Sequence, residues 1–354
     1  VDENGVGTKG TLIVNDGTVL TAESGQAIQA WGDVTINDGT LNGEVAAWSV
    51  KNWNPGNITI KGGQINGDVT AYQRLKDGNY PDQSAKIAIE GGNITGELKL
   101  RYVEFNSTIT DCDAEQFTVK GSITVTGGTF SSDPSKYLAV GYKATEGESA
   151  NTWTVEKMDG YAMSEGLDGW YETLTDAAKA WRESNGVVTS GNTFGANSLG
   201  TVDSITWTIS GVVATGDGEG VIGNNGAGQS ILGGGYYTPA VTVNNITIKG
   251  VNGAKITKTG DSYLVSTNGG NVVYENITFV DTVRIDSNPA KLTFKNCTFE
   301  AGFRMPHSAA NGEVTIENCT FTGNESDGYA IFAQGSMASF EVTGSKISNC
   351  RRGI

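Results

Sequence analysis

The chain reads as all-β: two parallel β-helix solenoid modules in tandem, joined by a hairpin and linker and a short capping helix. Three observations predict this. A short alternating motif recurs around a glycine or asparagine pivot in both halves of the chain and lapses between about Ser131 and Ser204. Glycine is abundant at 50 of 354 residues, about twice its usual share, while proline stands at six. A further short strand follows most pivots, giving three strands per 20–30 residues.

The first-half rungs are "LIVNDGTV" (Gly17), "VTINDGTL" (Gly39), "ITIKGGQI" (Gly63), "IAIEGGNI" (Gly92) and "ITVTGGTF" (Gly128), aligned without gaps. Val14, Ile36, Ile60, Ile89 and Val125 form one apolar column. Val19, Leu41, Ile65, Ile94 and Phe130 form another. Polar residues stand between, the period-two pattern of a strand with one buried face. Pivot spacings of 22, 24, 29 and 36 keep the motif constant while the loops vary. Asp-Gly between alternating strands also signals a hairpin, but the third strands ("AIQAW", "VAAWS", "VTAYQ", "LKLRY") favour coils over hairpins.

Between these rungs and the second half, "YKATEGESANTWTV" reads as a hairpin that covers the open end of the first module. "MDGYAMSEGLDG" reads as linker. Leu174, Ala177, Ala178 and Trp181 then fall at helical spacing behind a capping box of Thr173 and Asp176. The expected division is 1–130, 131–170 and 171–354, and a chain that stops in mid-rung suggests a longer natural protein.

The second-half pivots are Asn245, Asn276, Asn296, Asn318 and Gly344. Val243, Tyr274, Phe294, Ile316 and Val342 stand two before; Ile248, Phe279, Phe299, Phe321 and Ile347 stand three after. Asn and Gly suit a left-handed turn between strands. Cys297 and Cys319 fall in an inward column one after the pivot, where they act as small hydrophobes. Stacked parallel side chains rarely meet disulfide geometry. The Asn-Cys-Thr triplets at Asn296 and Asn318 are glycosylation sequons in form, and a by-product of the turn in this reading.

The stacked "NCTF" and "NITF" turns over residues 200–354 resemble the pectin-lyase-like right-handed β-helix superfamily. "GGTFSSDPSKYLAVGYKA" looks like a terminator in large repetitive surface proteins of Gram-positive gut bacteria. The resemblance implies a right-handed coil and a secreted or cell-surface location. Its members include polysaccharide lyases, glycoside hydrolases, tailspikes and adhesins, so it implies no single activity. Its lyases hold substrate on the outer face of the strand after the Asn turn, with acidic residues for Ca²⁺ and Arg or Lys as base. On that face, Arg284 and Arg304 fall on successive coils. A polyanionic sugar could bridge them; so could Asp281, Asp286 or Glu300. No stacked Asp cluster stands beside them.

A second outward column, in the first half, is Trp31, Trp48, Tyr72 and Arg101. Stacked aromatics offer a platform for the apolar faces of sugar rings, unless the loops after each strand fold over them. These four are the candidate glycan-binding residues. The net charge of −15 repels nucleic acid and anionic lipid, and no 18-residue apolar run is present to span a membrane. A single histidine makes His-based metal sites and a Ser-His-Asp triad poor candidates. Asp217 and Glu219 are weak Ca²⁺ candidates in a glycine-rich loop whose Gly218-x-Gly220-x-x-Gly223 lacks the helix a nucleotide site needs. The threonines Thr247, Thr278, Thr298 and Thr320 form a stack one residue wide, flanked by charges, which argues against ice binding. The expected function is a non-catalytic, adhesin-like module that binds a polysaccharide or host glycan and requires no cofactor. A lyase or hydrolase on acidic polysaccharide, and a structural stalk, are the alternatives.

Overall fold

A computed structural model describes residues 6–8, 10–50, 54–75, 83–104, 122–149, 151–184, 189–190, 193–194, 200–216, 241–259, 271–284, 291–305, 312–322, 329–334 and 338–353. The protein is all-β, built mostly of parallel sheets that curl, an arrangement compatible with a β-helix. It divides into two compact units, Val1–Met158 and Asp159–Ile354.

In the first unit the strands before each pivot form a five-stranded parallel sheet: Thr11–Val14, Asp33–Ile36, Asn57–Ile60, Lys86–Ile89 and Ser122–Val125. Val14, Ile36, Ile60, Ile89 and Val125 pair in register and are all buried. A second sheet carries the strands after the pivots, and there the column is Leu20, Leu41, Ile65, Ile94 and Phe130. Val19, expected inside, is 64 % exposed and pairs with Thr40. The turn at Asp16-Gly17 closes by a Thr18 N–H bond to the Asn15 carbonyl. It uses one more residue before the column resumes, and a one-residue shift reverses the face.

The hairpin forms from Tyr142–Glu146 and Trp153–Lys157, and its second strand pairs antiparallel with Gly128–Phe130. It thus occupies an edge where parallel pairing ends. The expected linker contains a strand, Gly160–Ser164, antiparallel to Gly200–Ala214. Its alternate residues Ala162 and Ser164 are buried, which a linker's would not be.

The helix of the second unit spans Leu174–Ser184. The Thr173 hydroxyl accepts from the Asp176 N–H at 3.0 Å and donates to the Asp176 carboxylate at 2.7 Å. Leu174, Ala177 and Trp181 face the core. Beyond it, Asn271–Glu275, Lys291–Lys295, Glu313–Glu317 and Ser339–Thr343 pair in parallel without a shift. Asn276, Asn296 and Asn318 adopt φ of 59°, 52° and 53°, and Gly344 62°. Each asparagine tolerates this region because its short polar side chain bonds locally; the Asn296 amide donates to Asn276 Oδ1 at 3.3 Å.

Asn245 is not a pivot. It lies inside the strand Val241–Thr257 and pairs with Asn271. The left-handed residues of that rung are Asn252 and Gly253. Ile246 and Ile248 therefore stack on Val272 and Tyr274, where Val241 and Val243 were expected. Thr247 lies opposite Val273, so the threonine stack is Thr278, Thr298 and Thr320 without it. The "NITI" triplet resembles "NITF", but Asn-Gly is the stronger turn signal.

Cys297 and Cys319 are buried free thiols, and the Cys297 N–H approaches the Cys319 sulfur at 3.4 Å. Contact with the Cys319 sulfur and burial both push the Cys297 thiol upward, away from the reactive thiolate. Cys112 lies outside the described residues.

Candidate functional site

The strands Thr40–Val50, Val69–Leu75 and Leu98–Glu104 of the first unit lie parallel and in register. Val45, Ala47, Val69 and Ala71 point into the core. Alternation then turns Trp48, Tyr72 and Arg101 to the opposite face, as register partners one strand apart. Trp31 follows Ala30, which pairs with Ala47, so it stands one step before Trp48. The predicted column is thereby brought together.

Strand spacing near 4.8 Å lets such rings stack. The Trp48 and Tyr72 centroids are 4.2 Å apart with planes 9° off parallel. Trp31 sits 6.1 Å from Trp48, tilted by 34°. Tyr72 is only 3 % exposed, whereas Trp31 and Trp48 are half-buried. Tyr72 backs the ladder, and the open ring surface belongs to the tryptophans.

A polar chain holds the ladder's edge. Trp48 Nε1 donates to Gln26 Oε1 at 3.2 Å, and Gln26 Nε2 donates to Glu44 Oε2 at 2.7 Å. The Tyr72 hydroxyl donates to the other Glu44 oxygen at 2.8 Å. Burial, then the charge and hydrogen bond of Glu44, push the Tyr72 phenol well above its ordinary value, only partly offset by the Arg101 cation. The phenol therefore stays protonated and keeps donating. The Trp48 and Tyr72 ring orientations are thus each set by a bond that a ligand need not supply.

Beside the Arg101 end lies a charged group. Lys99 Nζ contacts Asp68 at 2.7 Å and Glu97 at 2.9 Å, and the Glu97 N–H donates to Asp68 at 2.9 Å. Burial alone would raise the Asp68 carboxyl. The two hydrogen bonds and the charges of Lys99 and Arg101 outweigh it and hold the group below its ordinary value. Its folded value is thus below the unfolded one of about 3.9. The stabilisation is full above that unfolded value and is lost as pH falls through the folded one. Asp68→Asn should flatten the acid limb of the first unit's stability, modestly because the pair is part-exposed. Thermal unfolding of both proteins on acidification checks this; parallel acid limbs would contradict it.

In the second unit, Arg284 pairs with Arg304, and Arg304 with Phe332. Val283, Phe303 and Ile331 of the same strands are buried, so Arg304 takes the outer face. Tyr329 lies 5.2 Å from Phe332, with the Arg352 guanidinium 5.0 Å above its ring. Of the carboxylates expected nearby, Glu300 contacts Lys255 at 3.4 Å and Asp281 accepts from the Lys258 N–H at 2.8 Å. Asp286, Asp217 and Glu219 lie outside the described residues, as does the Gly218–Gly223 loop. Among the described residues no group of three or more His, Cys, Asp or Glu could hold a metal, and no helix is long and apolar enough to cross a membrane.

Comparison of the chain with family models, curated proteins and solved structures finds no match.

Two residues of the ladder escaped the sequence reading. Glu44 shares the outward parity of Ala46 and Trp48, and that parity could have found it. Gln26 could not be found so, because the register shifts twice between Thr21 and Ile28. A bulge re-aims side chains in a way no alternation pattern encodes.

Proposed function

We propose that the protein is two right-handed parallel β-helices in tandem, and that the first is a non-catalytic module binding glycans at Trp31 and Trp48. The coil reading is supported by gapless parallel register across successive units in both halves. Right-handedness is the hand that parallel crossovers take. The observation that carries the binding reading is the Trp48–Tyr72 stack with its fixed polar edge. A ring backed by a second ring and locked in orientation presents a rigid face, so ordering costs little on binding. Sugar C–H faces pack on such a ring, and the Glu44 carboxylate beside it has lone pairs for sugar hydroxyls. A secreted or surface-attached adhesin is the setting this reading implies.

A second reading is favoured by the Arg284–Arg304 register beside Phe332, where an acidic polysaccharide would be held and cleaved. Electrophoresis through gels cast with neutral and acidic polysaccharides separates the readings. Trp48→Ala should weaken retardation by a neutral polysaccharide by about tenfold or more, the value of one aromatic contact. Undiminished retardation of that variant by the neutral polysaccharide would sink the binding site proposed here. Shortening of an acidic glycan by the wild type, lost in Arg304→Ala, would favour the enzyme. Retardation by no glycan would leave a stalk.

A further inference from the structure

The outer face of the second unit's sheet holds an open cleft of about 410 Å³, over the strands Asn271–Glu275, Lys291–Lys295 and Glu313–Glu317. Its floor is one column, Val273, Thr293 and Thr315, paired in register. On one wall stand Asn245, Asn271 and Lys291; on the other, Lys295 and Glu317. Thr293 lies between two lysines of its own strand, each two residues away on the same face.

Three features separate this cleft from an ordinary solvated face. Thr293 is only 7 % exposed, lines the cleft, and its hydroxyl has no hydrogen-bond partner among the described residues. The little of Thr293 that is exposed opens onto the cleft, so its hydroxyl is placed to bond a ligand lying there. Lys291 makes no ion pair among the described residues, although Glu313 is its register partner. Lys295 meets Glu317 only at 4.0 Å, the long limit of an ion pair. The wall amides, by contrast, are fixed: Asn271 donates to Asn245 Oδ1 at 3.0 Å, and Asn245 to the Asp203 carbonyl at 3.0 Å. The cleft therefore has a rigid amide rim, hydroxyls in its floor, and a lysine on each wall, in a chain whose net charge is −15.

We propose that this cleft binds an acidic glycan, a linear chain of carboxylated sugar rings lying along the Val273–Thr293–Thr315 floor. Ring hydroxyls bond Thr293, and the carboxylates meet Lys291 and Lys295. Successive rings of a 4-linked chain turn their carboxylates to opposite sides, so lysines on opposite walls are both met. Such rings also advance by nearly the strand spacing, about 4.8 Å. An acidic peptide fits less well. It advances about 3.4 Å per residue and falls out of step with the strands. It also cannot join as a strand, because the Lys291–Lys295 strand is paired on both sides.

The site lies in the second unit and does not depend on the Trp31–Trp48 face. Its test is isothermal titration of the full chain with a short alginate oligomer, its carboxyl-reduced form, and poly-glutamate. Wild type should bind the alginate oligomer alone, and more weakly as salt rises. Lys291→Gln with Lys295→Gln should weaken binding by at least about tenfold. Thr293→Val should weaken it by about threefold to tenfold with an unchanged melting temperature. Trp48→Ala should leave it unchanged. The proposal is overturned if wild type ignores alginate, if the reduced oligomer or poly-glutamate binds equally, or if the lysine double variant binds like wild type. Loss of alginate binding in Trp48→Ala would assign the glycan to the aromatic face and overturn this site.

Discussion

Phe299→Ala is expected to destabilise the second unit by about 3–5 kcal/mol, the usual cost of emptying a buried phenylalanine site. Phe299 is fully buried at the centre of an aromatic cluster. It stacks on Phe321 at 4.5 Å and 3°, and on Phe279 at 5.2 Å. Phe294 and Phe303 meet it edge-on at 5.2 and 6.1 Å. Four rings lose a neighbour at once, and the in-register backbones on either side hold them in place, so the cavity cannot collapse. The apolar cores of the two units are separate clusters. Calorimetry of the whole chain should show one component moved down in temperature and one unmoved. Phe299→Leu, nearer in volume, should cost under half as much. A loss below about 1 kcal/mol for the alanine variant would mean that the stack relaxes and the ladder is not rigid.

Gly56→Ala is expected to lower the stability of the first unit and, with it, the glycan binding proposed for that unit. A Cβ on Gly56 would lie 2.3 Å from the Ala30 carbonyl oxygen and 2.9 Å from the Trp48 nitrogen. Both obstacles are backbone, so no rotamer change relieves them. Gly56 is also tied on both sides: its N–H donates to the Trp48 carbonyl at 2.8 Å, and its carbonyl accepts from Lys86 at 3.0 Å. The methyl must therefore push apart the strand ends that carry Trp31 and Trp48. Overpacking of this kind costs about 1–3 kcal/mol, and the two tryptophans move with it. Melting temperature and gel retardation measured on one preparation check this. If stability falls while retardation holds, the tryptophans are not the binding surface.

Most of the fold was legible because its turns demand rare conformations. Asn296 and Asn318 in "NCTF" announce a left-handed residue, and both have φ near 50°. The columns followed from alternation, which parallel pairing preserves from rung to rung. The errors arose where two local signals competed. At Asn245 a copy of the turn triplet lay inside a strand, and the real turn came seven residues later. At Val19 an extra turn residue inverted the face. The same displacement at Asn245 hid one wall of the Lys291–Lys295 cleft, since Asn245 stands beside it only when paired with Asn271 inside a strand. The aromatic ladder was legible by parity. The Gln26–Glu44 brace was not, because the chain's irregular stretch between Thr21 and Ile28 decides where Gln26 points.

The unequal pivot spacings of 22, 24, 29 and 36 residues are absorbed while Val14, Ile36, Ile60, Ile89 and Val125 remain in register. Length is thus uncoupled from architecture at the connections. A gene encoding such a chain can gain or lose residues there, or duplicate a whole unit, without renegotiating the core. The same freedom makes those connections suitable places to graft a foreign peptide for display.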